Sequence, residues 1–332
     1  DRLRSRGLGD VYKRQEVFIK NMNFKDSIPS ANMASSGHRL GQIIGDWYEE
    51  YFALPLLTKI ANGLNLFVDS RFKKRSCRGD KILWADIDGN TVDYDFVMEL
   101  AGTDSEFGTP VAFFETFWRR GARHSKDKAR DDSGKLLPMK DTYPTARVLG
   151  IVSAGNFTTP ARELVRSRGV ELFYVPKEHI VKSWKKHGIE IDYPDKAQEL
   201  TKQKLVEQAE QKIKDYPSIF SEVALTLCEF IGKSQLFAFE KLVASKLGAT
   251  PQEYKITAHH SSNPFSFTTH QAVDDFLCKD IVCSKFSNIR YSYEVVFGDG
   301  DTYLGQSFTI EELKQRHLEL KRLIMHMEEL IK

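Results

Sequence analysis

Cysteine is scarce in this chain: four residues among 332, Cys77, Cys228, Cys278 and Cys283, scattered at unrelated intervals. That usage excludes a disulfide framework and predicts a reducing, cytoplasmic setting. His259-His260 with Cys278-x4-Cys283 does not have the spacing of a common structural zinc site. No apolar run approaches the ~20 residues of a membrane helix, and no charged segment followed by an apolar one opens the chain, so neither membrane insertion nor export is expected. Gly-rich phosphate loops are missing, as is a G-x-S-x-G nucleophile turn. GDGDTYLG (298–305) lacks the spaced acids of a calcium loop and reads as a turn.

A surplus of charge is also missing, the formal net charge being +2. Residues 1–15, DRLRSRGLGDVYKRQ, resemble a sequencing adapter translated in frame and are set aside, which leaves Met22 or Met33 as candidate starts, or an upstream part lost. They hold five Lys/Arg and two Asp, so without them the chain carries −1. Net charge therefore says nothing about a polyanionic partner, and only local patches can. Hydrophobic residues at 41% with 28% charged are ordinary for a globular protein with a sizeable core.

What is present is an α/β pattern. RLGQIIGDWYEEYFALPLLTKIAN (39–62) places Ile43, Trp47, Tyr51 and Leu54 on one helical face. LNLFV (64–68) reads as a strand, and Asp88-Gly89-Asn90 between two alternating runs signals a hairpin. VAFFETFW (111–118), ARVLGIVSA (146–154) and VELFYVP (170–176) are further strands. Helices are predicted from Ser125, from Thr159-Pro160 (Thr as N-cap, Pro first in the helix), and over 177–188. Beyond about residue 194 the pattern becomes mainly helical, at 196–215, 218–231 and 234–247, with a looser region at 250–308 that includes a hairpin around RYSYEVVFGDGDTYLG. The last helix opens with a capping box, Thr309-x-x-Glu312. Leu313, His317, Leu320, Ile324, Met327 and Ile331 then form a coiled-coil-like seam, which serves internal packing or, as the sharper alternative, a homodimer.

Two acids stand inside strands. If the runs around Asp95 and Glu115 pair antiparallel about a loop centred near Ser105, Asp95 faces Glu115, Val97 faces Phe113 and Asp93 faces Phe117. Opposed side chains lie roughly 5 Å apart, and like charges that close destabilise a sheet unless a cation sits between them. Two carboxylates suit Mg²⁺, which completes its shell with water and phosphate oxygens. The plainer alternative is a pair of strand-edge acids neutralised by nearby Arg. Arg119–Arg130 holds six Lys/Arg against Asp127 alone, and 71–81 six against Asp80 alone. A cationic rim around an acidic, metal-holding centre is the layout that phosphodiester hydrolysis needs. Two solvated basic faces are the alternative.

At these residues the sequence resembles the PD-(D/E)xK nuclease superfamily, specifically its type II restriction endonuclease-like members. GDWYEEYFALPLL, the hairpin carrying YDFV, FFETF, a crossover helix and RVLGIVSA carry the likeness over roughly residues 39–190, and RRGARHSKDKA resembles the group's basic segment. The resemblance implies an α/β fold with a restriction-endonuclease-like mixed central sheet flanked by helices, a catalytic core at 16–193, and a mainly helical region at 194–332 for DNA recognition or dimerisation. Asp95 and Glu115 would be catalytic and would bind Mg²⁺, with Mn²⁺ as a substitute, and Glu50 (or Glu49) would be an auxiliary ligand. Arg119, Arg120, Arg123, His124, Lys73, Lys74 and Arg75 would contact DNA.

The family's lysine, two positions after the glutamate, is Phe117 here. Lys126 and Lys128 are the expected substitutes, while Arg119 is too basic to act as a base. The implied partners are double-stranded DNA, a second copy of the chain and a cognate DNA methyltransferase. The implied activity is Mg²⁺-dependent site-specific DNA cleavage. The rivals are an inactive nuclease-fold DNA-binding module and a nuclease of DNA repair or RNA processing.

Overall fold

A computed structural model describes residues 35–259, 263–278 and 289–331. Residues 1–15, Met22, Met33, His260 and Cys283 lie outside them. The leading helix is α1 (Ser36–Trp47), a π-helical segment (Tyr48–Ala53) and α2 (Leu54–Gly63) in unbroken succession. Its buried doublets are Ile43/Ile44, Trp47/Tyr48, Tyr51/Phe52, Leu56/Leu57 and Ile60/Ala61. They advance by four residues except for one step of five, which falls at the wider π turn.

The central sheet has the order β1-β4-β5-β6-β7. Strands β1 (Phe67–Ser70), β4 (Phe96–Leu100) and β5 (Thr109–Arg119) are antiparallel, whereas β6 (Val148–Gly155) and β7 (Glu171–Pro176) continue parallel to β5. The parallel steps cross over through α3 (Ser125–Thr142) and α4 (Thr159–Ser167), as parallel neighbours require. In α4 the N-cap is Thr158 rather than Thr159. This is the mixed α/β architecture expected. Between β1 and β4 a two-stranded hairpin, β2 (Leu83–Ala85) and β3 (Thr91–Asp93), turns at Gly89, whose φ of +83° suits glycine. Asp93 pairs with Leu83 in that hairpin, not with Phe117, because β3 leaves the central sheet.

The two sheet faces carry different cores. Phe96, Met98, Phe114 and Val152 pack under α1, the π segment, α2 and α5 (Lys177–Lys186), and α6 (Glu199–Asp215), α7 (Ile219–Ile231) and α8 (Lys233–Leu247) join the same core. The boundary expected near 194 is thus no break in the core. Val97, Phe113, Phe117 and Ile151 instead pack under α3, α4 and the hairpin.

A third core belongs to β8 (Pro251–Ala258), β9 (Phe265–Phe267), α9 (His270–Leu277), β10 (Tyr291–Phe297), β11 (Thr302–Phe308) and α10 (Ile310–Ile331). The strands form an antiparallel sheet in the order β11-β10-β8-β9, so the C-terminal region is less purely helical than its sequence suggests. The capping box forms as expected: Glu312 N–H donates to Thr309 Oγ1, and Thr309 N–H to Glu312 Oε2. Leu313, Leu320 and Ile324 pack beneath the C-terminal sheet and Met327 against the first core, so these seam positions are filled from within the molecule. No helix among the described residues is long and apolar enough to cross a membrane.

Candidate functional site

The β4–β5 register places the acid pair. Phe96 faces Phe114, Val97 faces Phe113 and Met98 faces Ala112, with a bulge only beyond Met98. Continued back by one residue, this register sets Asp95 opposite Glu115. Strand alternation puts both on the face that carries Val97, Phe113 and Phe117, beneath α3. Asp95 lies just before β4 and is tied to β5 by its carboxylate, which accepts from Thr116 N–H at 2.6 Å and from Thr116 Oγ1 at 3.0 Å.

Glu115 is only 2% exposed. Its Oε2 accepts from Lys135 Nζ at 2.9 Å, and its Oε1 is buried with no hydrogen-bond partner among the described residues. Burial, and then the negative charge of Asp95, push the Glu115 carboxyl up to about 8 against the pull of Lys135. Partial burial opposes charge on Lys135, but Glu115, Asp95 and Asp132 together raise its pKa.

Lys135 was missed by the sequence reading. It sits on the inner side of α3, two turns after Lys128 and one after the buried Asp132. Asp132 Oδ1 accepts from Lys128 Nζ at 2.7 Å, while its Oδ2 has no partner; burial raises its pKa, and Lys128 opposes that rise. Lys128 also lies over the Phe117 ring, 5.2 Å from its centroid. Lys128 is therefore engaged with Asp132 and not with Glu115, and Lys126 is exposed. The lysine at the acid pair is neither expected substitute. The available signal was the 128/132/135 spacing, which places three charged residues along one side of a helix whose other inward residues, among them Ala129, Ser133, Leu136 and Met139, are uncharged.

From the opposite side, Glu49 rather than Glu50 approaches Asp95. Glu49 is buried, and Arg71 forks it with Nε to Oε1 and Nη2 to Oε2, both at 2.8 Å, while also reaching Asp46. Burial and Asp95 together raise the Glu49 carboxyl to about 7. Glu50 is half-buried and its pKa is also raised, chiefly by burial. The π turn carries both acids, and Glu49 takes the inward position.

The cationic rim divides. Arg75 is fully buried, its guanidinium held by Asp69 at 2.7 Å and Glu99 at 2.6 Å and donating to two carbonyls. It is a structural pin for the 71–81 loop and has no reach to a phosphate. Arg120 is bound to Asp195, Asp192 and the Tyr193 carbonyl. Lys73 pairs with Asp104, and His124 with Asp127. Arg123 and Lys74 are exposed and Arg119 is half-buried, and none of the three has an acidic partner among the described residues.

Among the described residues no three carboxylate, imidazole or thiolate groups converge to hold a metal ion, so any ion here would rest on two protein carboxylates with water or substrate completing its shell. No protein-family model matches the chain, and it shows no significant similarity to a curated protein or a solved structure.

Proposed function

We propose that the protein is a Mg²⁺-dependent nuclease that hydrolyses DNA phosphodiesters, with Asp95, Glu115 and Lys135 as its reacting centre. The observation that carries the reading is that Asp95, at the entry to β4, acts on Glu115 of the neighbouring strand while a lysine from the crossover helix reaches that same glutamate. That restores acid, acid and lysine in space although Phe117 occupies the expected lysine position.

The donors fit a divalent ion. Glu115 Oε1 is buried and, among the described residues, unpartnered, and burial together with the negative charge of Asp95 raises the proton affinity of Glu115 in the absence of an ion. A bound Mg²⁺ supplies polarisation of the scissile phosphate and acidification of a coordinated water. Asp95, braced by Thr116, and Glu115, braced by Lys135, would be its protein ligands, with Glu49 in reserve behind Arg71. Lys135 donates one of its three N–H bonds to Glu115 Oε2 and has two left to orient the attacking water or hold a phosphate oxygen. Buried Phe117 and Phe157 wall the inner side and exclude bulk water. Arg119, Arg123 and Lys74 are the rim cations free for phosphates.

The restriction reading adds double-stranded DNA as substrate and a companion methyltransferase, encoded nearby. A two-fold partner would need a surface other than the α10 seam. The test is plasmid cleavage with Mg²⁺ or Mn²⁺ and with EDTA. Asp95→Ala and Glu115→Ala are each expected to lose metal-dependent cutting while retaining DNA binding. Wild-type cutting by either variant would remove the assignment. DNA binding by the wild-type protein with no cleavage under any divalent ion would favour the inactive DNA-binding module.

A further inference from the structure

The helix that delivers Lys135 is weakest at the point of delivery. In α3, Lys135 follows Gly134 and stands three residues before Pro138. Glycine is unfavourable inside a helix because it gives up the most backbone freedom on folding. Pro138 has no N–H for the Gly134 carbonyl, and its ring crowds that carbonyl, an arrangement that bends or breaks helices. Yet α3 runs unbroken from Ser125 to Thr142. The Lys135 side chain is 43% exposed, so close packing around it does little to aim the ammonium.

Tyr94 offsets that weakness. Its hydroxyl donates to the Lys135 carbonyl at 2.7 Å, from forty-one residues away in the chain. Tyr94 is only 2% exposed, and its ring lies against Phe113 with the centroids 4.9 Å apart. Its backbone is held as well. Tyr94 N–H donates to the Ile82 carbonyl at 3.0 Å, and Ile82 N–H donates to Asp93 Oδ1 at 2.9 Å. The chain bends at Asp95, and Tyr94 joins the core beneath α3, on the side that Asp95 also faces. The base of the β2–β3 hairpin is thus what fixes the residue before Asp95.

Two consecutive residues therefore serve both halves of the centre. Asp95 stands beside Glu115, and Tyr94 pins the turn of α3 from which Lys135 reaches that same glutamate. We propose that Tyr94 is a positioning residue for phosphodiester cleavage: its hydrogen bond to the Lys135 carbonyl sets α3 over the sheet and keeps Lys135 Nζ on Glu115. In this role Tyr94 touches neither substrate nor ion and acts through Lys135. The inference rests on the nuclease reading and adds to it a residue which that reading does not use. A tyrosine that merely stabilised the fold would have no specific link to Lys135.

The test is a double-mutant cycle of Tyr94→Phe with Lys135→Ala, read by single-turnover plasmid cleavage, by DNA affinity in Ca²⁺ and by thermal melting in EDTA. Phenylalanine keeps the ring on Phe113 and deletes only the donor. Tyr94→Phe alone is expected to lower the cleavage rate at least about tenfold, within the roughly 10²-fold that a small misplacement of a reacting group costs. DNA affinity should stay within about twofold, since the loss falls on the chemical step. Once Lys135 is alanine, Tyr94→Phe should change the rate less than about twofold, because the two act as one unit. Lys135→Ala should also lower the melting midpoint less in the Tyr94→Phe background than in the wild type. A Tyr94→Phe enzyme of wild-type rate, equal fold losses in both backgrounds, or additive melting losses would overturn the proposal. A wild-type protein that never cleaves with Mg²⁺ or Mn²⁺ would instead overturn the nuclease reading, and non-additive melts would then leave Tyr94 in place as the anchor of Lys135.

Discussion

Lys135 Nζ lies 2.9 Å from Glu115 Oε2, twenty residues downstream in the chain and on a different element. One side chain of α3 thereby supplies what the strand itself omits, since the strand position two beyond Glu115 holds Phe117, packed against Phe157.

Lys135→Ala is expected to lower Mg²⁺-dependent cleavage by at least about 10²-fold, the range for removal of a positioned proton-handling group, and to cost about 1–3 kcal/mol because Glu115, 2% exposed, loses its ion pair. Lys128→Ala is expected to cost a similar amount, since it strips Asp132, 1% exposed, of its ion pair, but to leave the cleavage rate unchanged. Initial cleavage rates beside thermal melts separate the two, and a Lys135→Ala enzyme with unchanged rates would return the lysine role to another residue.

Stability should depend on pH in a sense opposite to that of ordinary salt-bridged acids. Glu115 and Glu49 bind a proton more tightly in the folded state, at about 8 and about 7, than the ordinary carboxyl value of 4.5. Their contribution is fully present below about pH 4.5 and is lost as pH rises through 7 and 8. Melting in EDTA should therefore fall across this window. Glu115→Gln, which does not ionise, should flatten the fall, and Mg²⁺ added at pH 8 should restore the wild type, because the ion favours the ionised carboxylate. A flat wild-type profile would show that the pair is not buried as described.

Arg75→Ala is expected to cost about 3–5 kcal/mol, since it leaves Asp69 and Glu99 buried with less compensating charge. Denaturant midpoints check this. A variant of wild-type stability but weakened DNA affinity would return Arg75 to the phosphate-binding rim.

Leu320→Ala is expected to destabilise the fold by about 2–5 kcal/mol, as for a fully buried leucine. The mass in solution, followed by light scattering, should not change between wild type and variant, because the seam faces the protein's own interior.

The acid pair was legible because a period of two leaves few choices. Val97 and Phe113 must face one core and Phe96 and Phe114 the other, and a loop centred near Ser105 then selects among the registers two residues apart the one that brings Asp95 to Glu115. The lysine was not legible in the same way. Its reach depends on where α3 crosses the sheet, which is decided by Ala129, Leu136 and Met139 packing on residues far away in sequence. Arg75 was misread for a related reason. A run of cations looks solvated until Asp69 and Glu99, on two neighbouring strands, close around it, and nothing within 71–81 announces them. The C-terminal sheet showed only its hairpin, because β8 pairs with β10 across a separation of about forty residues.

The five-residue step in the leading helix sets a constraint on its length. The π turn holds one residue more than an α-helical ladder would, and it keeps the doublets before and after it in phase against one wall of the core. Removing one residue there would leave steps of four throughout, which a regular α-helix keeps in phase, whereas inserting a residue elsewhere in the helix, with no π turn to absorb it, would turn α1 by about 100° relative to α2. Such an insertion would carry Trp47 and Ile44 out of the interior together and move Glu49 from its place beside Asp95. The helix is thus intolerant of a further inserted residue although most single substitutions on its outer side should pass, so length rather than composition is what this stretch of chain has to preserve.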